Sequence, residues 1–522
     1  MIDKIYSYVP FLVGICVMIF LVNCGQIKNT DTPSEINEKY RPAFHFTPDS
    51  MWMNDPNGMV YYAGEYHLFY QYYPDSTVWG PMHWGHAVST DMIQWEHLPI
   101  ALYPDTLGYI FSGSAVIDWK NTSGFGKDGQ IPMLAIFTHH NMAGEKAGTT
   151  NFQYQSLAYS LDKGRTWTKY QGNPVIPNTE NIKDFRDPKV IWHNETQKWV
   201  MVLAAKDKAM FYTSLDLKTW TYESSYGIKN DNRLWECPDL FPLKTVGSDE
   251  TKWILVVSMQ SGAPNGGTGT SYFVGDFDGK TFTNSQANDK QYWLDYGTDN
   301  YAMVSWSDIP DTDARRLMMG WMSNWLYAQK VPTERWRSTM TLPREVILVK
   351  SNDGEWKLSS KLVSEYQTLR SDITKIDLSN IKTYPYPMPE IEEGLFEANI
   401  SFLASQEICL TLTNGQNDSL KIGYTPKDKT WFIDRSKAGI SDFYDGFAAR
   451  HFAPCSSVDD TLHVQLIFDK TSVELFADNG YTSMTDIYFP KETLTFPILE
   501  MNTGHKPISC TSHKLSAKKC SL

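Results

Sequence analysis

Ser89-Thr90-Asp91-Met92-Ile93-Gln94-Trp95 is the first of four related stretches whose spacing predicts the fold of this chain. In each copy an acidic turn precedes an aromatic residue by four or five positions. The acidic residues of successive copies lie 71, 54 and 62 positions apart. A period of this size is typical of propellers, because it matches a four-stranded sheet with its loops. The copies span residues 89–95, 160–167, 214–220 and 276–282.

The rest of the chain has the pattern of short β-strands and almost no long helical periodicity. Runs of alternating apolar and polar residues are bounded by turn residues, as at 199–204. A Pro-rich segment, 384–389, interrupts this pattern, and alternation resumes beyond it as far as 487–489. We therefore predict an all-β fold, with a five-bladed β-propeller over residues 41–350 and a C-terminal β-sandwich over residues 365–522. The fifth blade has no clear copy of the turn.

The composition restricts the class of partner. The net charge of −13 and the pI near 5.4 argue against a nucleic-acid partner, because binding to phosphates requires a basic surface. Anionic lipid surfaces repel an acidic protein for the same reason. A neutral substrate fits this balance, and the 18 Trp and 29 Tyr include flat rings of the kind that stack on sugar faces. Most of these rings are expected in the core.

Residues 1–24 have the pattern of an export signal. Lys4 precedes an apolar run over residues 9–22, which is shorter than the roughly 20 residues of a membrane span. Cys24 closes the signal as in bacterial lipoproteins and is the predicted site of lipid attachment, with residues 25–40 as a flexible tether. A plain signal peptide or a weak N-terminal anchor is the alternative. The tether begins without the acidic cluster that marks surface export, which favours the periplasm.

Five cysteines follow the leader, and their spacing matches no zinc-binding pattern. Four of them lie in the C-terminal part and are able to pair in an oxidising compartment. Because the total is odd, at least one thiol stays free, and we expect it to be Cys237. The five are Cys237, Cys409, Cys455, Cys510 and Cys520.

Three carboxylates, Asp55, Asp187 and Glu236, stand in turn-forming contexts rich in Pro and aromatic residues. They lie 36, 29 and 42 positions before the acidic residue of a repeat copy, near the opening strand of a blade. Any one of them alone fits an ordinary turn equally well. All three carboxylates occupy a comparable position relative to the repeat. This favours a shared site in the central channel, where the inner strands of different blades meet.

Such a set of carboxylates has the chemistry of a retaining glycosidase. Two carboxyl groups about 5 Å apart hydrolyse a glycosidic bond with retention when one attacks the anomeric carbon and the other protonates the leaving oxygen. Crowding raises the pKa of one member, which keeps it protonated near neutral pH. A third carboxylate is able to hold ring hydroxyls and to stabilise an oxocarbenium-like transition state. Arg186 adjoins Asp187 and is placed to keep that carboxylate ionised.

Four motifs, in their order along the chain, resemble the signatures of glycoside hydrolase family 32, which contains the invertases, inulinases and levanases. A further stretch at 461–480 resembles the family's β-sandwich signature. The resemblance covers almost the whole chain after the leader. It implies a five-bladed propeller with a β-sandwich and cleavage of β-fructofuranosyl linkages. The four motifs are residues 52–58, 111–114, 185–188 and 236–238.

The resemblance also implies a role for each motif residue. Asp55 matches the nucleophile, Glu236 the general acid/base and Asp187 the transition-state stabiliser. A covalent fructosyl-enzyme then forms and is released by water. No metal or cofactor is implied. The implied fructose-binding residues are Asn54, Gln71, Trp79, Phe111, Ser112, Arg186, Asp299 and Trp321.

Several functions stay open at this point. The favoured one is exo-acting release of fructose from levan, inulin, fructo-oligosaccharides or sucrose. An endo-levanase or endo-inulinase would use the same catalytic residues, and a fructosyltransferase would use the same covalent intermediate. A fructan-binding lipoprotein without catalysis is the alternative from another class. The loops at the rim decide between a closed pocket and an open cleft, and the sequence predicts neither their shape nor the oligomeric state.

Overall fold

A computed structural model of the 522-residue chain describes residues 38–286, 290–351, 354–376, 381, 384–501 and 506–516. The predicted leader with Cys24, residues 25–37 of the predicted tether and Cys520 lie outside the described residues. Within these ranges, no helix is both long and apolar enough to cross a membrane.

The described residues between 51 and 362 form five sheets of mainly antiparallel strands. The first sheet has β1 (Met51–Tyr62), β2 (Glu65–Tyr73), β3 (His83–Ser89) and β4 (Glu96–Leu102). The second has β5 (Tyr109–Ile117), β6 (Met133–His140), β7 (Gln153–Ser160) and β8 (Thr168–Lys169). The third has β9 (Phe185–His193), β10 (Lys198–Ala205), β11 (Lys208–Ser214) and β12 (Thr221–Gly227).

The last two of these sheets contain additional short strands. The fourth has β13 (Trp235–Lys244), β14 (Thr251–Met259), β15 (Gly269–Phe277), β16 (Phe282–Asn284) and β17 (Tyr292–Trp293). The fifth has β18 (Tyr301–Ser305), β19 (Leu317–Met322), β21 (Thr339–Met340), β22 (Arg344–Lys350) and β23 (Trp356–Leu362), while β20 (Trp336–Arg337) pairs with β1 of the first sheet. The fifth sheet therefore extends to Leu362, beyond the predicted end of the propeller at residue 350.

The inner strands of these sheets form a ring. Strands β1, β5, β9, β13 and β18 each contact the next in this order, and β18 contacts β1. The apolar faces of neighbouring sheets bury one another, as where Leu134 and Leu157 of the second sheet cluster with Val190 and Met201 of the third. The structure thus confirms a nearly all-β chain with a propeller.

The repeated acidic turn joins the third and fourth strands of the first four sheets. In the first copy, Asp91 Oδ1 accepts the backbone N–H groups of Ile93 (2.9 Å) and Gln94 (2.8 Å), and Trp95 Nε1 donates to the carbonyl of Met92 (3.0 Å). The carboxylate thus satisfies the backbone of a tight turn, and the ring packs over it. Each copy places one residue at positive φ in the same position, and these are Met92, Lys163, Leu217 and Gly279.

The C-terminal part is a sandwich of two six-stranded antiparallel sheets. One has β24 (Arg370–Lys375), β26 (Phe396–Leu403), β31 (Thr461–Asp469), β32 (Ser472–Ala477), β33 (Thr482–Ile487) and β35 (Ser509–Leu515). The other has β25 (Tyr386–Pro387), β27 (Ile408–Thr413), β28 (Ser419–Thr425), β29 (Thr430–Lys437), β30 (Arg450–Pro454) and β34 (Phe496–Met501). Their inner faces share one apolar core, which confirms the predicted sandwich.

One predicted strand, at residues 487–489, is wrong. Strand β33 ends at Ile487, and Phe489 packs in an apolar cluster with Tyr327 and Phe447. The apolar pattern there therefore records burial in that cluster rather than sheet pairing. The described helices are short: α1 (Met142–Lys146) and the 3₁₀ turns Ser364–Leu369, Glu392–Gly394 and Asp478–Gly480.

Candidate active site

All five inner strands carry a β-bulge at the same end of the ring. In each strand two residues oppose a single residue of the second strand of the same sheet. A bulge bends a strand and re-aims its side chains, and bulges are frequent beside active sites. The bulged pairs are Asn54-Asp55, Phe111-Ser112, Asp187-Pro188, Cys237-Pro238 and Ala302-Met303.

A cavity of about 420 Å³ opens at this end of the ring. Most of the predicted site residues line it, although their positions in the sequence span almost 200 residues. The predicted residues in its wall are Asn54, Asp55, Gln71, Trp79, Phe111, Ser112, Arg186, Asp187 and Glu236.

One carboxylate oxygen of Asp55 has a hydrogen-bond partner in the protein, and the other has none. Its Oδ2 accepts the hydroxyl of Ser112 at 2.9 Å and lies 3.5 Å from the Cys237 thiol. Its Oδ1 is buried and has no hydrogen-bond partner in the protein. Burial and the neighbouring charge of Glu236 raise the pKa of Asp55, because both disfavour the ionised form. A buried carboxylate oxygen without a donor is costly unless a ligand or a reaction uses it.

Asp187 is buried beside Asp55 on a strained backbone. Its φ of +63° lies in the left-handed region, which is uncommon for a residue with a side chain. The backbone N–H of Cys237 donates to its Oδ2 at 3.0 Å, and its own N–H donates to Thr138 Oγ1 at 3.0 Å. Burial raises the pKa of Asp187 to about 7, against the lowering effect of Arg186. Strain of this kind is concentrated at functional sites.

Glu236 lies between two hydrogen-bond donors. Arg186 Nη2 donates to its Oε1 at 2.9 Å, and the Tyr301 hydroxyl donates to its Oε2. Arg186 is fixed from its other side by Asp184, whose Oδ1 lies 2.8 Å from Nη1. Five carboxylates therefore line the cavity, and three of them, Asp55, Asp187 and Glu236, come from inner strands of three sheets. The buried guanidinium of Arg186 contacts Glu236 directly and lies 3.9 Å from Asp187.

Aromatic rings form one side of the cavity. Trp79 packs edge-on against Phe111 at a centroid distance of 6.0 Å, and Phe111 stacks on His140 at 4.2 Å. Trp325 lies over Trp52, with ring centroids 5.8 Å apart. An aromatic wall facing carboxylates and amides is suited to a sugar, which has apolar ring faces and polar edges.

The structure places two predicted site residues elsewhere. Asp299 is fully buried and forms a salt bridge of 2.7 Å with Arg435 of the sandwich, so its carboxylate is unavailable to a ligand in the cavity. Trp321 is also fully buried and packs against Trp325 at 4.9 Å, so it supports a cavity residue from behind. Both predictions of direct contact are wrong, because each side chain is enclosed by protein.

Several residues of the site were not predicted from the sequence. Tyr301 contacts Glu236 and had no signal, because it lies in an apolar strand without a motif. Asp184 was detectable in principle, since it stands two positions before Arg186. The remaining missed residues of the wall come mostly from loops and second strands: His140, Glu145, Gln153, Lys183, Leu234, Gln260, Trp325 and Gln329.

The buried polar atoms of the wall show what the cavity can bind. Asp55 Oδ1 offers an acceptor and Gln71 Nε2 a donor, and neither has a partner within the protein. Such atoms suit a ligand with many hydroxyls, because a hydroxyl donates and accepts. No three His, Cys, Asp or Glu side chains of the described residues are arranged to hold a metal ion. Cys237, Cys409, Cys455 and Cys510 are free thiols.

Sequence models of a known family match nearly all of the described chain. The model of the glycosyl hydrolases family 32 N-terminal domain matches residues 45–360, and the model of the family's C-terminal domain matches residues 361–514. These matches include the ring of sheets and the sandwich.

Characterised relatives are similar over most of their length. A levanase of Bacillus subtilis is 47% identical over 492 residues, which are 92% of this chain and 71% of the relative. An extracellular exo-inulinase of Aspergillus niger is 39% identical over 500 residues, 87% of this chain and 90% of the relative.

Solved structures share the fold. The crystal structure of exo-inulinase from Aspergillus awamori superposes with a TM-score of 0.80 and 33% identity, covering 92% of this chain and 99% of that one. A β-fructofuranosidase from Schwanniomyces occidentalis, complexed with fructosyl-erythritol, superposes with a TM-score of 0.82 and 31% identity over 92% and 98% of the two chains.

Proposed function

This chain belongs to glycosyl hydrolase family 32, and we propose that it is a retaining, exo-acting enzyme in which Asp55, Glu236 and Asp187 perform the reaction. It is a glycoside hydrolase, a β-fructofuranosidase acting on fructans or sucrose. The observation that carries the proposal is the convergence of three carboxylates in one cavity, with Asp55 Oδ1 unpartnered among them.

Asp55 is the proposed nucleophile. Its Oδ2 accepts a hydrogen bond from Ser112, and Oδ1 has no competing hydrogen bond within the protein. Oδ1 attacks C2 of a fructosyl unit, and the bond from C2 to the leaving oxygen breaks. The product of this step is a covalent fructosyl-enzyme. Burial raises the energy of the ionised Asp55, and bond formation to carbon relieves that cost.

Glu236 is the proposed acid and base. It gives its proton to the leaving oxygen, and the carboxylate that results is stabilised by Arg186 and Tyr301, which donate to its two oxygens. In the second step the same carboxylate takes a proton from water as that water attacks C2. Fructose is released, Asp55 is regenerated and Glu236 is protonated again.

Asp187 is the proposed stabiliser of the transition state. Positive charge develops at C2 and the ring oxygen in both steps, and a fixed carboxylate next to it lowers its energy in a water-poor cavity. The backbone N–H of Cys237 and the guanidinium of Arg186 keep Asp187 in place.

The size of the cavity supports exo action. About 420 Å³ is near the lower end of the range for small-molecule sites and is small for a polymer held on both sides of the cleaved bond. Trp79 and Trp325 line the cavity from two different loops. The similarity to exo-inulinases over 87% of the chain supports the same mode. An endo-acting levanase or inulinase is the second candidate, and the levanase relative keeps levan among the expected substrates.

Product analysis tests this proposal. The protein without residues 1–24 is incubated with levan, inulin and sucrose, beside an Asp55→Asn control that keeps the shape of the site. We expect free fructose from the earliest times with both polymers, and no product from the control. A ladder of oligosaccharides would indicate endo action instead of exo action. Equal inactivity of wild type and control would refute the proposal that the protein is a hydrolase.

We also propose that the chain is exported and held at the membrane by a lipid on Cys24, facing the periplasm. Relatives named as extracellular enzymes support export. The lipid rests on the position of Cys24 after the apolar run of the leader. Labelled fatty acid should enter the wild-type protein in bacteria and not a Cys24→Ser variant. Cleavage of the tether by protease added to intact cells would place the protein on the surface instead.

A further inference from the structure

A second and larger cavity, of about 810 Å³, lies at the far ends of the same inner strands. The active site uses the bulged ends of these strands, whereas this cavity is lined by the segments that follow. Its wall includes Tyr62 from the end of β1, Ile117 from the end of β5, and Trp192 from β9. It shares no lining residue with the active site. We call it the rear cavity.

An exposed tryptophan stands in the wall of the rear cavity in a fixed position. The side chain of Trp119 is 57% exposed, which is unusual for the largest apolar residue. Its Nε1 donates to Asp308 Oδ1 at 2.8 Å, and its ring lies 5.7 Å from that of Tyr62. Asp308 is itself fixed, because Oδ2 accepts the backbone N–H of Ile117 at 2.9 Å. A rigid, exposed ring is a ready platform for the apolar face of a sugar.

Buried polar atoms without protein partners lie in the same wall. Arg316 Nε and the Ser307 hydroxyl are buried and have no hydrogen-bond partner in the protein. The guanidinium of Arg316 lies over the Phe241 ring at 4.6 Å, and its hydrogen bonds, to Ser305 Oγ and the Trp306 carbonyl, are both long at 3.4 Å. Buried polar atoms of this kind are satisfied by ordered water or by a polar ligand.

The charges of the rear cavity argue against an anionic ligand. Lys189 is already paired with Asp239 at 3.2 Å. The acids of the wall, Asp118, Glu195, Asp308 and Asp311, outnumber its Lys and Arg side chains, Lys120, Lys189 and Arg316. Asp239 acts on the charge of Arg316. A phosphate or a polyanion would meet these carboxylates. A neutral polyhydroxyl chain meets no such repulsion, and it uses both the aromatic platform and the unpaired donors.

We infer that the rear cavity is a non-catalytic binding site for a neutral oligosaccharide, namely a stretch of the fructan chain. The identity of the sugar rests on the proposed function, whereas the existence of the site rests on the cavity and Trp119. A second site that holds the polymer keeps its other chain ends at high effective concentration near the active site. The site is therefore expected to matter for long substrates and not for sucrose.

Counting binding sites by calorimetry tests this inference. The Asp55→Asn variant is titrated with tetrasaccharides prepared from inulin and from levan, so that hydrolysis does not consume the ligand. We expect two sites per chain, and one site, or roughly tenfold weaker binding at the second, when Trp119→Ala is added. Tyr222→Ala is the matched control, because Tyr222 is an aromatic residue with 49% exposure that lines neither cavity.

Kinetics of the otherwise wild-type protein provide a second readout. Trp119→Ala should raise KM for long fructan several-fold and leave kcat/KM for sucrose unchanged. One site in the parent variant, or two unchanged sites after Trp119→Ala, would overturn the inference. Equal binding of a glucose tetrasaccharide in the rear cavity would overturn the assignment to fructan. Two fructan sites in a protein that hydrolyses no fructan would refute the proposed function alone.

Discussion

Two buried clusters of charge in this protein have opposite arrangements. In the active site, the guanidinium of Arg186 is shared by Asp184, Asp187 and Glu236, and Asp55 lines the same cavity. At the contact between the ring of sheets and the sandwich, acids and bases alternate. Arg344 pairs with Asp295 (2.8 Å) and Glu474 (2.6 Å), and His45 bridges Asp469 (2.8 Å) and Glu474 (2.9 Å).

The pKa values of acids in the two clusters shift in opposite directions. Burial and neighbouring acids raise the pKa of Asp55 and Asp187 in the active site. At the interface burial acts in the same sense, but the hydrogen bonds from His45 to Asp469, and the charge of Arg344 beside Glu474, keep the pKa of both acids below their usual values. The acids with raised pKa values therefore lie in the active site. The acids that are paired with cations lie where the ring of sheets contacts the sandwich.

The largest expected effect is the loss of activity in Asp55→Asn. Removal of the nucleophile should lower kcat on sucrose by at least about 10⁴-fold. Because the pKa of Asp55 is raised in the folded state, its ionised form costs stability, and the neutral amide should keep or raise the unfolding temperature. Initial rates and thermal scans at pH 7 measure both. A clear fall in the unfolding temperature would contradict the assignment of Asp55 to the acids with raised pKa values.

The second effect concerns the cluster where the ring of sheets contacts the sandwich. Arg344→Met leaves Asp295 and Glu474 without their shared cation, and breaking a buried pair costs about 3–5 kcal/mol. The unfolding temperature should fall, while kcat/KM at 25 °C stays near the wild-type value. Lys350→Met is the control, since the exposed Lys350 makes surface contacts, 3.5 Å to Glu250 and 4.1 Å to the Trp356 ring, that are worth little. An Arg344→Met protein as stable as the control would contradict the prediction.

A smaller effect is expected for Asp187→Asn. The amide preserves the shape of the side chain but removes the charge that stabilises the developing cation. We expect kcat to fall by roughly 10²- to 10³-fold with little change in KM. Steady-state kinetics on sucrose separate the two constants. A rise in KM without loss of kcat would instead assign Asp187 to substrate binding in the ground state.

The smallest effect is the dependence of stability on pH through His45. Although burial lowers it, hydrogen bonds to Asp469 and Glu474 raise the pKa of His45 to about 9. Because the folded-state pKa lies above the unfolded value of 6.5, this contribution is complete below pH 6.5 and is lost as the pH rises through about 9. It amounts to about 3 kcal/mol.

Thermal unfolding of wild type and His45→Gln at pH 6 and pH 9.5 measures this contribution. The variant should be less stable at pH 6, and the difference between the two proteins should shrink at pH 9.5. A constant difference at both pH values would show that His45 is neutral in the folded protein.

The parts of the site that could be predicted from the sequence are those with a local signal. Asp55, Asp187 and Glu236 stand beside Pro residues and aromatics in spaced motifs, and all three line one cavity. Tyr301 and Trp325 carry no such signal, because they reach the site through the position of their strand or loop. Asp299 was implied only by the family resemblance, and its partner Arg435 comes from the sandwich, 136 residues later.

The sequence by itself determined the class of fold and the family, because alternation, turns and motifs are encoded within short stretches of chain. The repeated pattern of Asp91 and Trp95 predicts a turn in each of four sheets and requires no information on contacts between sheets. Only the tertiary structure decided which oxygens stay unpaired. Asp55 Oδ1 is free and Asp299 is enclosed because ring closure, bulges and docking of the sandwich bring distant segments together, and no local pattern specifies those distances.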